Sequence, residues 1–151
     1  MSFLSVFAGI SAIFSTAFIG LWIKKRLIRK ATFFEDYYAY ILYATDKISY
    51  ERMPLSELNE GFSRGKSGDF IDFLQGAEKN LPISDESLRG VSEYLSKIGT
   101  TDAETQVVSL KGKCAELKRV TETDCVKYRK DGALYFKLCV LFGAVLFIIL
   151  A

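Results

Sequence analysis

Hydrophobic positions fall into three regimes along this chain. From Met1 to Ile23 no side chain is charged. A helix of that length covers about 34 Å, enough for a bilayer core of about 30 Å. Between Ala31 and Gly99 apolar residues return every three or four positions, the spacing of one helix face. From Ala133 onward the polar face disappears again. No stretch alternates at period two over a useful length, so strands are not expected.

The middle regime divides into helices at readable signals. Ala31 to Tyr50 carries Phe33, Phe34, Tyr37, Tyr38, Tyr40 and Tyr43 and predicts a helix continuing from the first apolar segment. Pro54 biases Met53 away from helical dihedrals and ends it. A short helix from Ser56 to Phe62 and a polar loop from Ser63 to Gly68 follow. The next helix runs from Phe70 to Lys79 with Asp69 as its cap. Another runs from Asp85 to Ile98, capped by Ser84 and stopped by Gly99, with Leu88, Val91, Leu95 and Ile98 on one face. Thr101-Asp102-Ala103-Glu104 reads as a capping box with threonine at the cap. Val107, Leu110, Cys114, Leu117 and Thr121 then form a stripe, with Tyr128 further on. No proline interrupts the run, so one helix from Ala103 to Leu150, about 70 Å long, is expected.

The fold class is therefore all-α: an antiparallel helical bundle in the cytosol with a transmembrane helix at each terminus. The last bundle helix is continuous with the C-terminal span. Residues 1–23 form the first span, 24–132 the cytoplasmic helical domain and 133–151 the second span. The first segment fits a retained helix better than a signal peptide, because its positive charges follow the apolar run instead of preceding it. The second is shorter. Leu138 to Ala151 alone would cover about 21 Å, and a full crossing needs Lys137 to snorkel to the interface. A half-inserted amphipathic tail is the alternative.

Charge sharpens this picture. The net charge of +2 conceals an acidic middle, with eleven basic and seventeen acidic side chains between residues 31 and 126. It is flanked by two basic collars, Lys24, Lys25, Arg26, Arg29 and Lys30, and then Lys127, Arg129, Lys130 and Lys137. Basic residues beside apolar runs suit anionic lipid headgroups, whereas an acidic domain does not suit nucleic acid. The first collar places the middle domain in the cytoplasm and both termini outside.

Candidate chemistry is sparse. There is no histidine, the commonest general base and metal ligand. Cys114, Cys125 and Cys139 have no C-x-x-C spacing, and the first two lie about 16 Å apart on one helix, too far for a disulfide. They read as small hydrophobes. Gly61-Phe62-Ser63-Arg64-Gly65-Lys66-Ser67 approaches a P-loop. It lacks one residue between the glycines, and a helix instead of a strand precedes it. Acidic pairs at Asp69 and Asp72, Asp85 and Glu86, and Asp102 and Glu104 sit where the helix dipole favours them. Tyrosines of the aromatic segment have no basic groove beside them for stacking bases. The reading is a non-enzymatic protein without cofactor or metal.

Four stretches carry a family resemblance. They are the apolar N-terminal helix with its basic cluster, Ile48-Ser49-Tyr50-Glu51-Arg52-Met53-Pro54-Leu55-Ser56-Glu57, Ile98-Gly99-Thr100-Thr101-Asp102-Ala103-Glu104-Thr105-Gln106, and the apolar run Leu138 to Leu150. In these the chain resembles the stage III sporulation protein AB family of endospore-forming bacteria, although Met53 stands where threonine is usual before Pro-Leu. The resemblance implies a cytosolic domain similar to those of type II secretion and type IV pilus platform proteins. It also implies a place in the channel complex joining mother cell and forespore, in the mother-cell membrane. The implied partners are a secretion-type hexameric ATPase and other membrane proteins of that complex; self-association is left open. Gly99, Asp102 and Gln106 are the candidate contact residues. A holin-like membrane-active protein, or another tethered helical adaptor, is the competing class, and rapid loss of membrane potential on expression would favour the holin.

Overall fold

The computed structural model describes residues 3–51, 54–77 and 80–150, without the side chains of residues 3–5, 50, 51 and 150. Among the described residues six α-helices follow one another: α1 Phe3–Glu51, α2 Leu55–Ser63, α3 Asp69–Leu74, α4 Asp85–Lys97, α5 Ala103–Val120 and α6 Val126–Leu150. A π-helical segment, Thr121–Cys125, lies between α5 and α6. No strand occurs among the described residues. The chain divides into two compact units, one of residues 1–29 with 126–151, the other of residues 30–125. One division falls within the first collar, between Arg29 and Lys30, and the other just before the second, between Cys125 and Val126.

In the central unit, the α1 segment of this unit lays Phe33, Tyr37, Tyr40, Ile41 and Ala44 into the core on one helical face, all at most 1% exposed. Phe62 from α2 and Phe70 from α3 close on this face. Phe70 stands at 5.3, 5.5 and 5.6 Å from the rings of Phe33, Tyr37 and Tyr40. Leu58, Val91, Ile98, Leu110 and Leu117 complete the cluster from α2, the α4 region and α5. The contacts Ala31 with Cys125 and Thr45 with Cys114 fix α5 antiparallel to this part of α1. The Cys125 thiol donates to the Ala31 carbonyl at 3.5 Å and is fully buried, as a small hydrophobe with a weak donor.

Four local expectations are corrected. Gly68, not Asp69, is the N-cap of α3, and no side chain caps that helix. α3 stops at Leu74, short of the expected Lys79, which lies outside the described residues with Glu78. Gly76 is the cause. At φ 85° it takes the left-handed conformation, Ala77 N–H donates to Asp72 O at 2.9 Å and Gly76 N–H to Phe73 O at 3.0 Å. That is a Schellman closure. The proline break at Arg52 and Met53 likewise falls outside the described residues. At α5 the cap is Asp102, not Thr101, since its carboxylate accepts from Thr105 N–H at 3.0 Å; aspartate outranks threonine in this role. Finally, the run from Ala103 is not one regular α-helix. Its π segment widens the turn where Thr121 and Thr123 hydroxyls donate to Lys118 O and Arg119 O.

The terminal unit is an antiparallel pair formed by the first part of α1 and by α6. Its register is readable from small residues facing large ones. Gly9 faces Phe147, Gly143 faces Thr16 and Ile13, Gly20 faces Cys139 and Phe136, and Gly132 faces Lys24 and Leu27. Small residues permit such close helix approach between apolar helices. Outward, Phe7, Phe14, Phe18 and Trp22 on α1 are 58–73% exposed. Both long helical stretches, Val6–Ser49 and Ala103–Ile149, contain a window long and apolar enough to cross a membrane, and only 11% of each window is buried.

Candidate functional site

Two groups of residues singled out by the sequence occupy defined places. The basic collars are the first. Opposite Lys24 lies Gly132, so Lys24, Lys25, Arg26 and Arg29 on α1 share one end of the apolar pair with Lys127, Arg129 and Lys130 on α6. Residues a hundred positions apart in the chain thus become one basic belt. Lys24 holds its ammonium 5.5 Å from the Phe136 ring, and Arg26 its guanidinium 5.6 Å from Trp22. Both are cation–π contacts of the kind that fix interfacial residues. Lys137 sits further along α6 on the apolar side, between Phe136 and Cys139, and is exposed. Lys30 belongs to the central unit.

The second group lies at the corner between α4 and α5. The α4 helix ends at Ile98, whose N–H donates to Leu95 O at 3.1 Å, and Gly99 turns the chain at φ 89°. This left-handed position is what a glycine terminator supplies. Thr100 closes the turn by donating to Lys97 O at 2.8 Å. Asp102 then caps α5 from an exposed position. The backbone N–H of Thr105 holds its carboxyl below the usual carboxylate value of 3.8. Asp102 is thus charged at neutral pH and occupies the positive end of α5.

Gln106, one turn on, behaves differently. It is 6% exposed, and its amide nitrogen Nε2 is buried without a hydrogen-bond partner. A buried amide donor left unpaired costs about 1–3 kcal/mol. Its place explains the burial. Gln106, Leu110 and Leu117 form the buried stripe of α5, while Val107 and Cys114, central in the sequence reading, lie at its margin. A glutamine four positions before Leu110 was the available signal, one polar residue on an otherwise apolar stripe.

Two clefts meet at Gln106. One, of about 330 Å³, lies between α4 and α5 and is lined by Tyr94, Lys97, Thr105, Ser109 and Leu110. Across it the Tyr94 hydroxyl and Ser109 Oγ are 3.3 Å apart. The other, of about 720 Å³, lies between the Pro54-Leu55 start of α2, Ile48 and the corner residues Gly99 to Glu104. Both volumes suit ligand sites, which span about 300–1,000 Å³. Tyr94, Ser109 and the Ile48, Pro54 and Leu55 wall were not singled out from the sequence. Their convergence needs three separate segments to pack together, although Pro54-Leu55 and Gly99 to Gln106 both belong to the stretches that carry the family resemblance.

The corner holds neither a nucleophile beside a base nor a group of metal-ligating side chains among the described residues. The Gly61 to Ser67 loop, for its part, follows helix α2 and leads into α3, so it lacks the strand that a phosphate-cradling loop requires. No family model, curated protein or solved structure matches this chain.

Proposed function

We propose that this chain is a non-enzymatic, membrane-anchored helical adaptor. In this reading the terminal unit is a two-helix hairpin in the bilayer and the acidic central unit stands on the cytoplasmic side. The observation that carries it is the antiparallel pairing of two apolar helices whose basic collars converge at one end of the pair. A basic belt at one end of an apolar hairpin matches an anionic cytoplasmic leaflet and leaves both termini on the far side. Lys137 reaches the same interface by extending its stem along α6.

The resemblance to the stage III sporulation protein AB family gives the adaptor its process. The chain would serve as a platform in the mother-cell channel complex facing the forespore, where it joins a secretion-type hexameric ATPase to the membrane channel. Three measurements test the levels separately. Protease added to sealed inverted membrane vesicles should digest the central unit, and added to right-side-out vesicles should spare it; the reverse pattern overturns the orientation. Deletion of the gene in its source organism should abolish mature spores, and normal spore yield removes the sporulation assignment. Site-specific photocrosslinking from exposed Val108 in the intact chain should recover partner proteins, and the absence of any crosslinked partner sinks the adaptor reading.

A further inference from the structure

The terminal unit carries eight basic side chains and one acidic one, Asp131. Gly132 fixes where they meet, because a Cβ there would stand 3.5 Å from the Lys24 Cα. In an antiparallel pair that contact sets Arg26 on α1 level with Lys130 on α6. Lys24 itself reaches across the pair, its ammonium 5.5 Å from the ring of Phe136 on α6. Lys25, Arg26, Lys127 and Lys130 are exposed, and none of them forms an ion pair with a described carboxylate. Packed helices stand about 8–10 Å apart, so the seam gathers like charges from both helices at one level. One carboxylate in the unit is too few to offset them, and the counter-charge comes from outside the unit. Beside the belt, on the apolar side, Trp22, Leu134 and Leu138 are 50–58% exposed. An occupant that suits the whole seam therefore joins anionic groups to hydrocarbon. A phospholipid supplies both, phosphate at the belt and acyl chains along the apolar face.

We infer that this seam holds an anionic phospholipid whose headgroup carries two phosphates, one on the α1 cations Lys24, Lys25 and Arg26, the other on Lys127 and Lys130 of α6. The inference rests on the hairpin reading and deepens it, from a general match with an anionic leaflet to one lipid class at one place. Basic pockets between apolar helices take such headgroups. Once the first phosphate is bound, the second arrives at high effective concentration, an advantage that two separate single-phosphate lipids lack. The bound dianion also offsets the repulsion between the collars, so it stabilises the helix pair.

The test uses the full-length chain in phosphatidylcholine nanodiscs doped with cardiolipin, which has two phosphates, or with phosphatidylglycerol at equal total phosphate. Native mass spectrometry after release should find one cardiolipin retained per chain and little phosphatidylglycerol, with retention falling as salt rises. Equal retention of the two lipids reduces the belt to diffuse attraction and overturns the proposal, as does retention of neither. Lys24→Gln and Lys130→Gln should each lower cardiolipin affinity roughly fivefold, about the worth of one basic side chain at an anionic surface. Lys24→Arg keeps the cation and should keep the affinity, and Lys111→Gln on exposed α5 should leave it unchanged. If both glutamine variants retain the near-ultraviolet circular dichroism of the parent and bind cardiolipin at full affinity, the seam is not the site. Tighter binding of pyrophosphate, or of a hexaglutamate peptide, than of cardiolipin would assign the seam to a soluble dianion or to an acidic protein segment, and overturns it too. If the chain resists carbonate extraction and protease finds the central unit on the cytoplasmic side while cardiolipin selectivity fails, the hairpin reading stands and this site is wrong. A chain released by carbonate removes both.

Discussion

Phe70 and Phe18 are the same side chain in opposite circumstances. Phe70 in the central unit is 0% exposed and surrounded by aromatic rings, whereas Phe18 in the terminal unit is 73% exposed. In the central unit the apolar groups lie inside and the charges outside. In the terminal unit glycines on one helix meet larger side chains of the other, and Phe7, Phe14, Phe18 and Trp22 face outward. That inversion separates a core formed by exclusion of water from a helix pair that keeps bulky apolar groups on its outer surface and whose helices are long and apolar enough to cross a membrane. Exposed apolar surface of this extent marks a face that meets a membrane or another protein.

The largest break in the comparison should come from Phe70→Ala. Loss of a fully buried ring should cost about 3–5 kcal/mol of central-unit stability, read by urea denaturation of the nanodisc-embedded chain through its near-ultraviolet circular dichroism. Phe14→Ala, at an exposed position, should leave that transition in place. Phe18→Arg should do the reverse. It should spare the central unit yet raise the cost of membrane insertion by about 2.5–3.5 kcal/mol, measured by the fraction of chains resisting carbonate extraction. Equal insertion of both chains would remove the bilayer from the account of the terminal unit.

Glycines sharpen the contrast further. A Cβ at Gly20 would lie 2.8 Å from the Cys139 Cβ and 3.3 Å from the Phe136 Cα. Gly20→Leu should therefore push the helix pair apart and destabilise it by about 1–3 kcal/mol, seen as reduced disulfide trapping between cysteines introduced across the pair. A Cβ at Gly112, by contrast, meets nothing within 4 Å on an exposed helix face. Gly112→Ala should stabilise the central unit by about 0.5–1 kcal/mol.

The smallest effect is expected at Asp102. Its folded-state pKa lies below the ordinary value of 3.8, so its stabilisation is present above that value and fades as pH falls through the depressed one. Asp102→Asn still caps the helix but carries no charge. The variant should show a lower Tm at neutral pH, and the difference should vanish on acidification below the carboxylate range. A difference that persists at low pH would point to packing instead of charge.

Much of the fold was legible in the sequence because helices announce themselves locally. The apolar period of α1 and α4, the Ser84 cap and the Gly99 stop each depend on residues within one or two turns. The misses share a cause as well. Asp102 rather than Thr101 caps α5 because neighbouring residues compete for one set of free N–H groups, and the outcome depends on the angle at which the chain enters. The early stop of α3 was written in Gly76, but a helical pattern extending to Lys79 outweighed a single glycine in the reading. The π segment carried no proline or glycine to mark it; its only trace is two threonines able to occupy released carbonyls.

The candidate corner shows the limit more sharply. Gly99, Asp102 and Gln106 were visible as a group, but their different roles were not. A turn, an exposed cap and a buried orphan amide follow from which face of α5 meets the core. By itself, the sequence determined the helical class, the two apolar segments, the acidic middle and its basic collars, because composition and period act along the chain. Only the tertiary structure decided that the collars form one belt, that glycines face large side chains across the apolar pair, and that Gln106 opens onto two clefts. Those depend on register between segments far apart in sequence, and register is settled by packing, not by any local propensity.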